Sequence, residues 1–339
     1  MTKENSHKSE KVKIKIGQIG IGHNHGEAKM KAVRKFPELF EVIGYAEEDE
    51  QWIEKRGNCK GYEGLPRLSV EEVIRQSDAV LVESDVWNLT KYAKMCVDAG
   101  KHIHMDKPAS GTLEEYKSLL DTAKAKNLII QLGYMYRYNP SIKKALELVK
   151  NGELGVIHSI NAEMSTFHSD EFRDWLNHFN GGNMYIFGSH LIDLIVLFLG
   201  EPNDIKSSIA YSDLNGVKAP DITSAMLRYD NALARVFVSS VECNGWGRRC
   251  FSIAGSKGTL EIRPLEVPVR ISFAKKGTGK EYFDDYAKPL PTTTIPDSER
   301  YDEMIKDFYQ SVTGEKENPY SYEHELAVQK TLCRVVGEN

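Results

Sequence analysis

The 339-residue chain carries 44 Lys plus Arg against 49 Asp plus Glu, a formal net charge of −5, with 41% hydrophobic and 27% charged residues. A mixed, slightly acidic surface with a pI near 6.1 gives nucleic acid or an anionic membrane no electrostatic attraction. The longest apolar run, 191–199, contains Asp193 and falls far short of the roughly 20 residues that cross a bilayer.

That length suits two domains with real cores. The first residues, 1–13, are polar without an apolar signal segment, so the expectation is a cytoplasmic protein with a flexible tail at 1–11. Cys59, Cys96, Cys243, Cys250 and Cys333 are odd in number and contain no CxxC pair, which argues for reduced thiols rather than a disulfide or zinc framework.

Short apolar runs alternate with helical patterns in the first part of the chain. Strands are expected at 13–19, 41–46, 79–82, 102–105 and 128–132, and helices at 26–36, 70–75, 89–99 and 113–126. Such alternation implies a parallel sheet covered by helices. Ser69 with Glu72 and Thr112 with Glu115 fit capping boxes, and Gly100 fits a left-handed helix end. After a helix at 141–151 the pattern turns strand-rich, at 156–164, 205–211, 223–229, 233–241, 250–254, 259–262 and 269–273. An apolar helix at 189–199 interrupts it, 288–296 is a Pro-rich extended connector, and helices at 298–313 and 322–336 end the chain. The expected fold class is α/β: a dinucleotide-binding domain over 12–135 and an α+β domain with a large, mostly antiparallel open sheet over 136–339.

The first strand runs into Gly20-Ile21-Gly22-His23-Asn24-His25-Gly26, and a helical pattern follows. In this strand–turn–helix context one glycine permits the tight turn and another lets backbone approach a pyrophosphate, which the helix N-terminus then holds. The third glycine stands one place late, with His25 where Gly or Ala is usual. Gly20, Ile21, Gly22, His23 and Asn24 are therefore the candidate phosphate loop. Glu47, at the end of the second strand with Glu48 and Asp49, suits a ribose 2′-hydroxyl and repels a 2′-phosphate, favouring NAD over NADP. His23 and His25 alternate as a metal pair would, yet the sequence supplies no evident third ligand, and no metal is expected.

Further stretches point to a family. They are Asp78-Ala79-Val80-Leu81-Val82, Ala99-Gly100-Lys101-His102-Ile103, Asp106-Lys107-Pro108, Gly133-Tyr134-Met135-Tyr136-Arg137-Tyr138-Asn139-Pro140, Asn151-Gly152-Glu153-Leu154-Gly155, and the run from Gly181-Gly182-Asn183 to His190-Leu191-Ile192-Asp193. In this order they resemble the glucose-fructose oxidoreductase, inositol dehydrogenase and MocA family from about residue 13 onward. The resemblance implies NAD(P) in the first domain, with Ser84, Asp106 and Lys107 at the cofactor. It also implies a sugar, cyclitol or related polyol as substrate, and Lys107 and His190 as catalytic groups meeting at the nicotinamide.

Those roles are chemically coherent. Hydride leaves a carbinol carbon when a base takes the hydroxyl proton and a positive group stabilises the developing alkoxide. An imidazole at His190 suits the proton and an ammonium at Lys107 the charge. Pro108 restricts Lys107 to extended geometry. Asp193, three residues after His190, is placed to bind a substrate hydroxyl or orient the imidazole. Tyr136, Arg137, His168, Arg173, Trp175 and Tyr185 are candidate substrate contacts.

The sequence departs from the family pattern at Ile186, where an Asp usually precedes the histidine by four residues. Either Asp193, Asp170 or Asp174 supplies the carboxylate, or the substrate needs less base assistance, or redox turnover is lost or repurposed. The leading expectation is a sugar or polyol dehydrogenase; the alternatives are a redox-neutral NAD-dependent lyase, epimerase or glycosidase, and a non-catalytic NAD-binding sensor. An exposed sheet suggests a homodimer or homotetramer, with no nucleic-acid or membrane partner.

Overall fold

The computed structural model describes residues 12–275, 288–292 and 295–338; the tail at 1–11 and residues 293–294 of the Pro-rich connector lie outside them. The chain forms two compact units, Met1–Gly133 with Tyr301–Pro319, and Tyr134–Arg300 with Tyr320–Asn339.

In the first unit β1 (Ile14–Ile19), β2 (Phe40–Ala46), β3 (Ala79–Val82), β4 (His102–Met105) and β5 (Ile130–Leu132) form a parallel sheet in the order β2-β1-β3-β4-β5. All four residues of β3 are buried, as expected for a strand covered on both faces. Helices α1 (Gly26–Arg34), α2 (Glu50–Arg56), α3 (Val70–Gln76), α4 (Leu89–Asp98) and α5 (Leu113–Ala125) connect the strands. Both capping boxes are present, Ser69 with Glu72 and Thr112 with Glu115, so each helix start has two orphan N–H groups satisfied. Gly100 takes φ +77 just beyond α4. Helix α2 has no buried residue, which explains why its sequence carries no apolar stripe to announce it.

The second unit opens with α6 (Pro140–Lys150), whose N-cap Asn139 accepts the Ser141 N–H and whose Pro140 occupies the first turn. Its sheet holds β6 (Ile157–Ser165), β7 (Asp204–Ala210), β8 (Ile222–Arg228), β9 (Leu233–Ser239), β10 (Cys250–Gly255), β11 (Gly258–Ile262), β12 (Ile271–Lys275) and β13 (Lys288–Leu290). The order is β13-β12-β11-β10-β6-β9-β8-β7, antiparallel except for the parallel pair β6 and β9. In β8 Thr223, Ala225 and Leu227 are buried while Met226 and Arg228 are exposed, the alternation of a sheet covered on one face. Short helices α7 (Asp170–Trp175) and α9 (Gly245–Arg248) flank the apolar α8 (Ser189–Leu199), which is buried from Ser189 to Val196. Each fully buried Leu or Ile of α8 contributes about 1.5–3 kcal/mol. Helix α10 (Asp302–Val312) belongs to the first unit, where Gln131 Nε2 donates to the Met304 carbonyl at 3.2 Å. Helix α11 (Tyr322–Val336) completes the second. Among the described residues no helix is long and apolar enough to cross a membrane.

Candidate functional site

The glycine loop follows β1 at the carboxyl edge of the parallel sheet, where open α/β sheets bind ligands. Gly20 has φ +83, and a Cβ there would stand 2.3 Å from the Ser84 Cα. Only glycine allows both that backbone conformation and the close seating of Ser84. A Cβ at Gly22 would meet Trp52 Nε1 at 2.8 Å and the Asp85 nitrogen at 2.9 Å. Arg56 on α2 donates to the carbonyls of Ile21 (3.2 Å), Gly22 (2.8 Å) and His23 (2.6 Å) and to Asn24 Oδ1 (2.5 Å), with its guanidinium 4.9 Å from the Trp52 ring. The loop's carbonyls are thereby turned toward Arg56. Among the described residues the backbone N–H groups of Gly22 and Asn24 donate no hydrogen bond, and α1 begins directly behind them. Donors so arranged at a helix N-terminus fit a pyrophosphate, so the residues present suit a dinucleotide.

Glu47 is more committed than a simple ribose acceptor. Its Oε2 accepts the Ile21 N–H at 2.8 Å, and its Oε1 accepts those of Glu48 and Asp49 at 2.9 and 3.0 Å. A carboxylate offers about four lone-pair sites, so roughly one stays open to a hydroxyl. Glu48 accepts the Tyr92 hydroxyl at 2.8 Å and Asp49 caps α2, which leaves Glu47 as the acid coupled to the loop.

Beyond β4, Asp106 collects a buried cluster. Its Oδ1 accepts the Lys107 backbone N–H at 2.7 Å. Its Oδ2 lies 2.9 Å from His23 Nδ1, 3.1 Å from His25 Nδ1 and 2.6 Å from Lys29 Nζ. Lys29 also reaches Glu83 Oε1 at 2.9 Å, and both partners are fully buried. Asp106 is therefore an organiser of the loop rather than a simple cofactor contact. It also supplies the third ligand-type group that the sequence did not reveal beside His23 and His25. Burial lowers the Lys107 ammonium to about 8, with Asp106 opposing and Lys29 adding to the shift; burial holds His25 at about 3.

In the second unit His190 opens α8, immediately after a π-type turn at Met184–Gly188 that contains Ile186. The imidazole meets the rings of Tyr136 and Tyr134 edge-on, at 5.0 and 5.9 Å between centroids. Tyr136 donates its hydroxyl to Glu266, which also takes Arg249 Nη1 (2.9 Å) and Arg300 Nη2 (2.6 Å). Its hydroxyl is thus committed to Glu266, and its ring faces His190.

Several expected substrate and catalytic groups are engaged elsewhere. Arg137 spends Nε and Nη2 on Asp193 (2.9 and 2.5 Å) and Nη1 and Nη2 on Glu325 (2.5 and 2.9 Å), with Tyr134 and Tyr320 against its plane. A fully buried guanidinium demands such compensation, so Arg137 and Asp193, expected at substrate and imidazole, are paired with each other. Arg173 pairs with Asp170 (2.7 Å) and Asp221 (3.0 Å) and donates to the Leu214 carbonyl, a purely internal set. Asp170 is consumed by that pair, and Asp174 is exposed, 3.3 Å from Asn177 Nδ2. Of the three carboxylates offered in place of the one lost at Ile186, Asp193 and Asp170 are thus paired with arginines and Asp174 is exposed. His168 packs against both Phe172 and Phe187, at 4.4 and 5.0 Å between centroids, and burial takes it down to about 4. Trp175 and Tyr185 both pack on Phe179, at 4.7 and 5.6 Å.

Sequence reasoning missed Arg56, Lys29, Glu83 and Glu266. Lys29 did leave a signal: it falls with Gly26 and Val33 on the buried stripe of α1. Glu266 lies between strands and left none.

The model of the oxidoreductase family with an NAD-binding Rossmann fold matches residues 14–134, and that of the GFO/IDH/MocA C-terminal domain matches 142–261. An uncharacterized oxidoreductase of Schizosaccharomyces pombe is 24% identical, covering 94% of this chain and 90% of its own. The myo-inositol 2-dehydrogenase of Thermotoga maritima is 26% identical over 82% of this chain and 86% of its own. The crystal structure of a putative NADPH-dependent oxidoreductase from Desulfitobacterium hafniense has the same fold, with a TM-score of 0.82, 16% identity, and coverage of 96% of this chain and 95% of that one. With both halves matched in order, the chain belongs to the GFO/IDH/MocA family of NAD(P)-binding oxidoreductases.

Proposed function

We propose that the protein transfers hydride between NAD and a secondary alcohol or ketone of a sugar, cyclitol or related polyol. The observation that carries this reading is the shared location of the glycine loop after β1 and Lys107 after β4, both at the carboxyl edge of one parallel sheet. Bound nicotinamide supplies the hydride acceptor or donor. The Gly22 and Asn24 N–H groups hold the pyrophosphate, and Glu47 favours a ribose 2′-hydroxyl over a 2′-phosphate. Lys107, protonated below about pH 8, stabilises the alkoxide as its proton leaves. His190 takes that proton in oxidation and returns it in reduction. The T. maritima relative's named activity on myo-inositol supports a polyol as the substrate class.

A panel of polyols, sugars and keto-sugars, assayed for NAD reduction and NADH oxidation with mass spectrometry of the products, tests the reading. Turnover of at least one polyol or keto-sugar with matching change of the cofactor is expected. Products formed without net change of the cofactor, or no turnover across the panel, overturn it.

A further inference from the structure

We propose that His23, His25 and Asp106 form a binding site for one divalent cation of the zinc class. The ligand atoms of all three lie within 4.8 Å of one another. Both imidazoles present Nδ1 to the same oxygen, Asp106 Oδ2, at 2.9 and 3.1 Å. Tetrahedral zinc, with bonds of about 2.0–2.2 Å to nitrogen and oxygen, sets its ligand atoms roughly 3.3–3.5 Å apart. The two imidazole-to-carboxylate separations therefore need to open by only a few tenths of an ångström, while the ligand nitrogens of the two imidazoles, within 4.8 Å of each other, need to close by at most about 1.5 Å.

Two details of the hydrogen bonding favour an ion there. His23 Nδ1 faces both the His25 backbone N–H at 3.3 Å and Asp106 Oδ2 at 2.9 Å, and its single in-plane position serves either as a lone pair for the first or as an N–H for the second. The tautomer that donates to Asp106 therefore leaves the His25 N–H contact unmade, and the one that accepts from His25 leaves the carboxylate contact without a proton. In addition, Asp106 Oδ2 has three close partners, His23, His25 and Lys29. A cation between the two imidazoles and the carboxylate takes a lone pair from each imidazole in place of these hydrogen bonds and leaves Oδ2 with the ion and Lys29. Lys29 is itself balanced by Glu83, and its bond to Asp106 becomes the outer hydrogen bond that ligating carboxylates ordinarily have. Two imidazoles and one carboxylate are the donor set of an open three-ligand zinc site, whose fourth position takes water or a ligand oxygen. His25, 24% exposed at its side chain, marks the side from which an ion enters.

The test uses untagged full-length protein, stripped with chelator and titrated with cobalt(II) as a spectroscopic stand-in, followed by zinc competition. Four-coordinate d–d absorption saturating at one equivalent and displaced by zinc is expected. His23→Ala and His25→Ala should each weaken binding by more than the roughly 10–100-fold that outer-sphere partners are worth. His25→Phe, which keeps an aromatic ring and removes the nitrogens, substitutes if an alanine variant loses its circular dichroism signature. A spectrum that stays that of aqueous cobalt, or absorption undiminished in the histidine variants, overturns the proposal.

Discussion

Asp106 holds Lys107 through the backbone, its Oδ1 accepting the Lys107 N–H at 2.7 Å. Its other oxygen is taken up by Lys29 at 2.6 Å, so the carboxylate closest in sequence to the proposed catalytic ammonium is shared with a second cation. Lys107 is therefore buried beside a partly neutralised partner, which is why burial prevails and its ammonium titrates at about 8 instead of near the usual lysine value.

If the protonated ammonium stabilises alkoxide, kcat/KM falls as pH rises through about 8. Lys107→Arg keeps the charge over the whole working range, so that limb moves out of reach even where turnover is reduced. For folding the sign is opposite. A lysine with a lowered folded pKa binds its proton more readily unfolded, so this group makes stability rise between about pH 8 and the ordinary lysine value. pH–rate profiles of the two proteins decide the point; an unmoved limb in Lys107→Arg assigns the titration to another group.

Lys107→Ala and His190→Ala should each lower kcat by about 10²–10⁴-fold, the usual worth of a proton-transfer or charge-stabilising group. NAD affinity should change by no more than a few-fold, because the loop donors at Gly22 and Asn24 are untouched. Steady-state kinetics with fluorescence titration of the nucleotide separates the two effects, and near wild-type turnover in both variants removes the mechanism.

Glu47→Ala deletes the acceptor of the Ile21, Glu48 and Asp49 N–H groups together with the proposed ribose contact. Leaving a buried donor without its partner costs about 1–3 kcal/mol, roughly 5- to 150-fold in NAD affinity if the loss falls on the loop. The ratio of NAD to NADP affinity should shrink at the same time. Glu47→Gln, which keeps one carbonyl oxygen for Ile21, should recover part of the affinity. An unchanged NAD to NADP ratio in both variants assigns Glu47 to the loop alone.

How far these features were legible in the sequence depends on the range over which each is determined. The helices over 70–76 and 113–125 were readable because a capping box is a local exchange between residues three apart, and both boxes formed. The glycine loop was readable from its local spacing between β1 and α1, even though the contact that requires glycine at Gly20, the close seating of Ser84, is long-range. The partners of Asp106, Arg137 and Glu266 were not, because a carboxylate's occupancy is set by residues brought in over long stretches of chain. Asp193 reads from sequence as a neighbour of His190, yet its oxygens meet Arg137, 56 positions away. Helix α2 was missed because it buries nothing, and the return of Tyr301–Pro319 to the first unit has no local signature at all.

Asp193 offers the sharpest distinction between a structural and a chemical carboxylate. Its two oxygens neutralise Arg137, whose remaining donors meet Glu325, and all three side chains are buried. Removing one member leaves Arg137 undercompensated away from water, a loss of about 3–5 kcal/mol for Asp193→Ala. Asp193→Asn retains hydrogen bonding without charge and should fall between that variant and wild type. Urea unfolding gives the stabilities, while kcat per folded molecule should stay within about threefold of wild type, far below the 10²-fold or more expected of a proton-transfer group. A variant with wild-type stability and a hundredfold lower kcat would return Asp193 to the chemistry and leave the Arg137 pairing as a consequence of its position on α8.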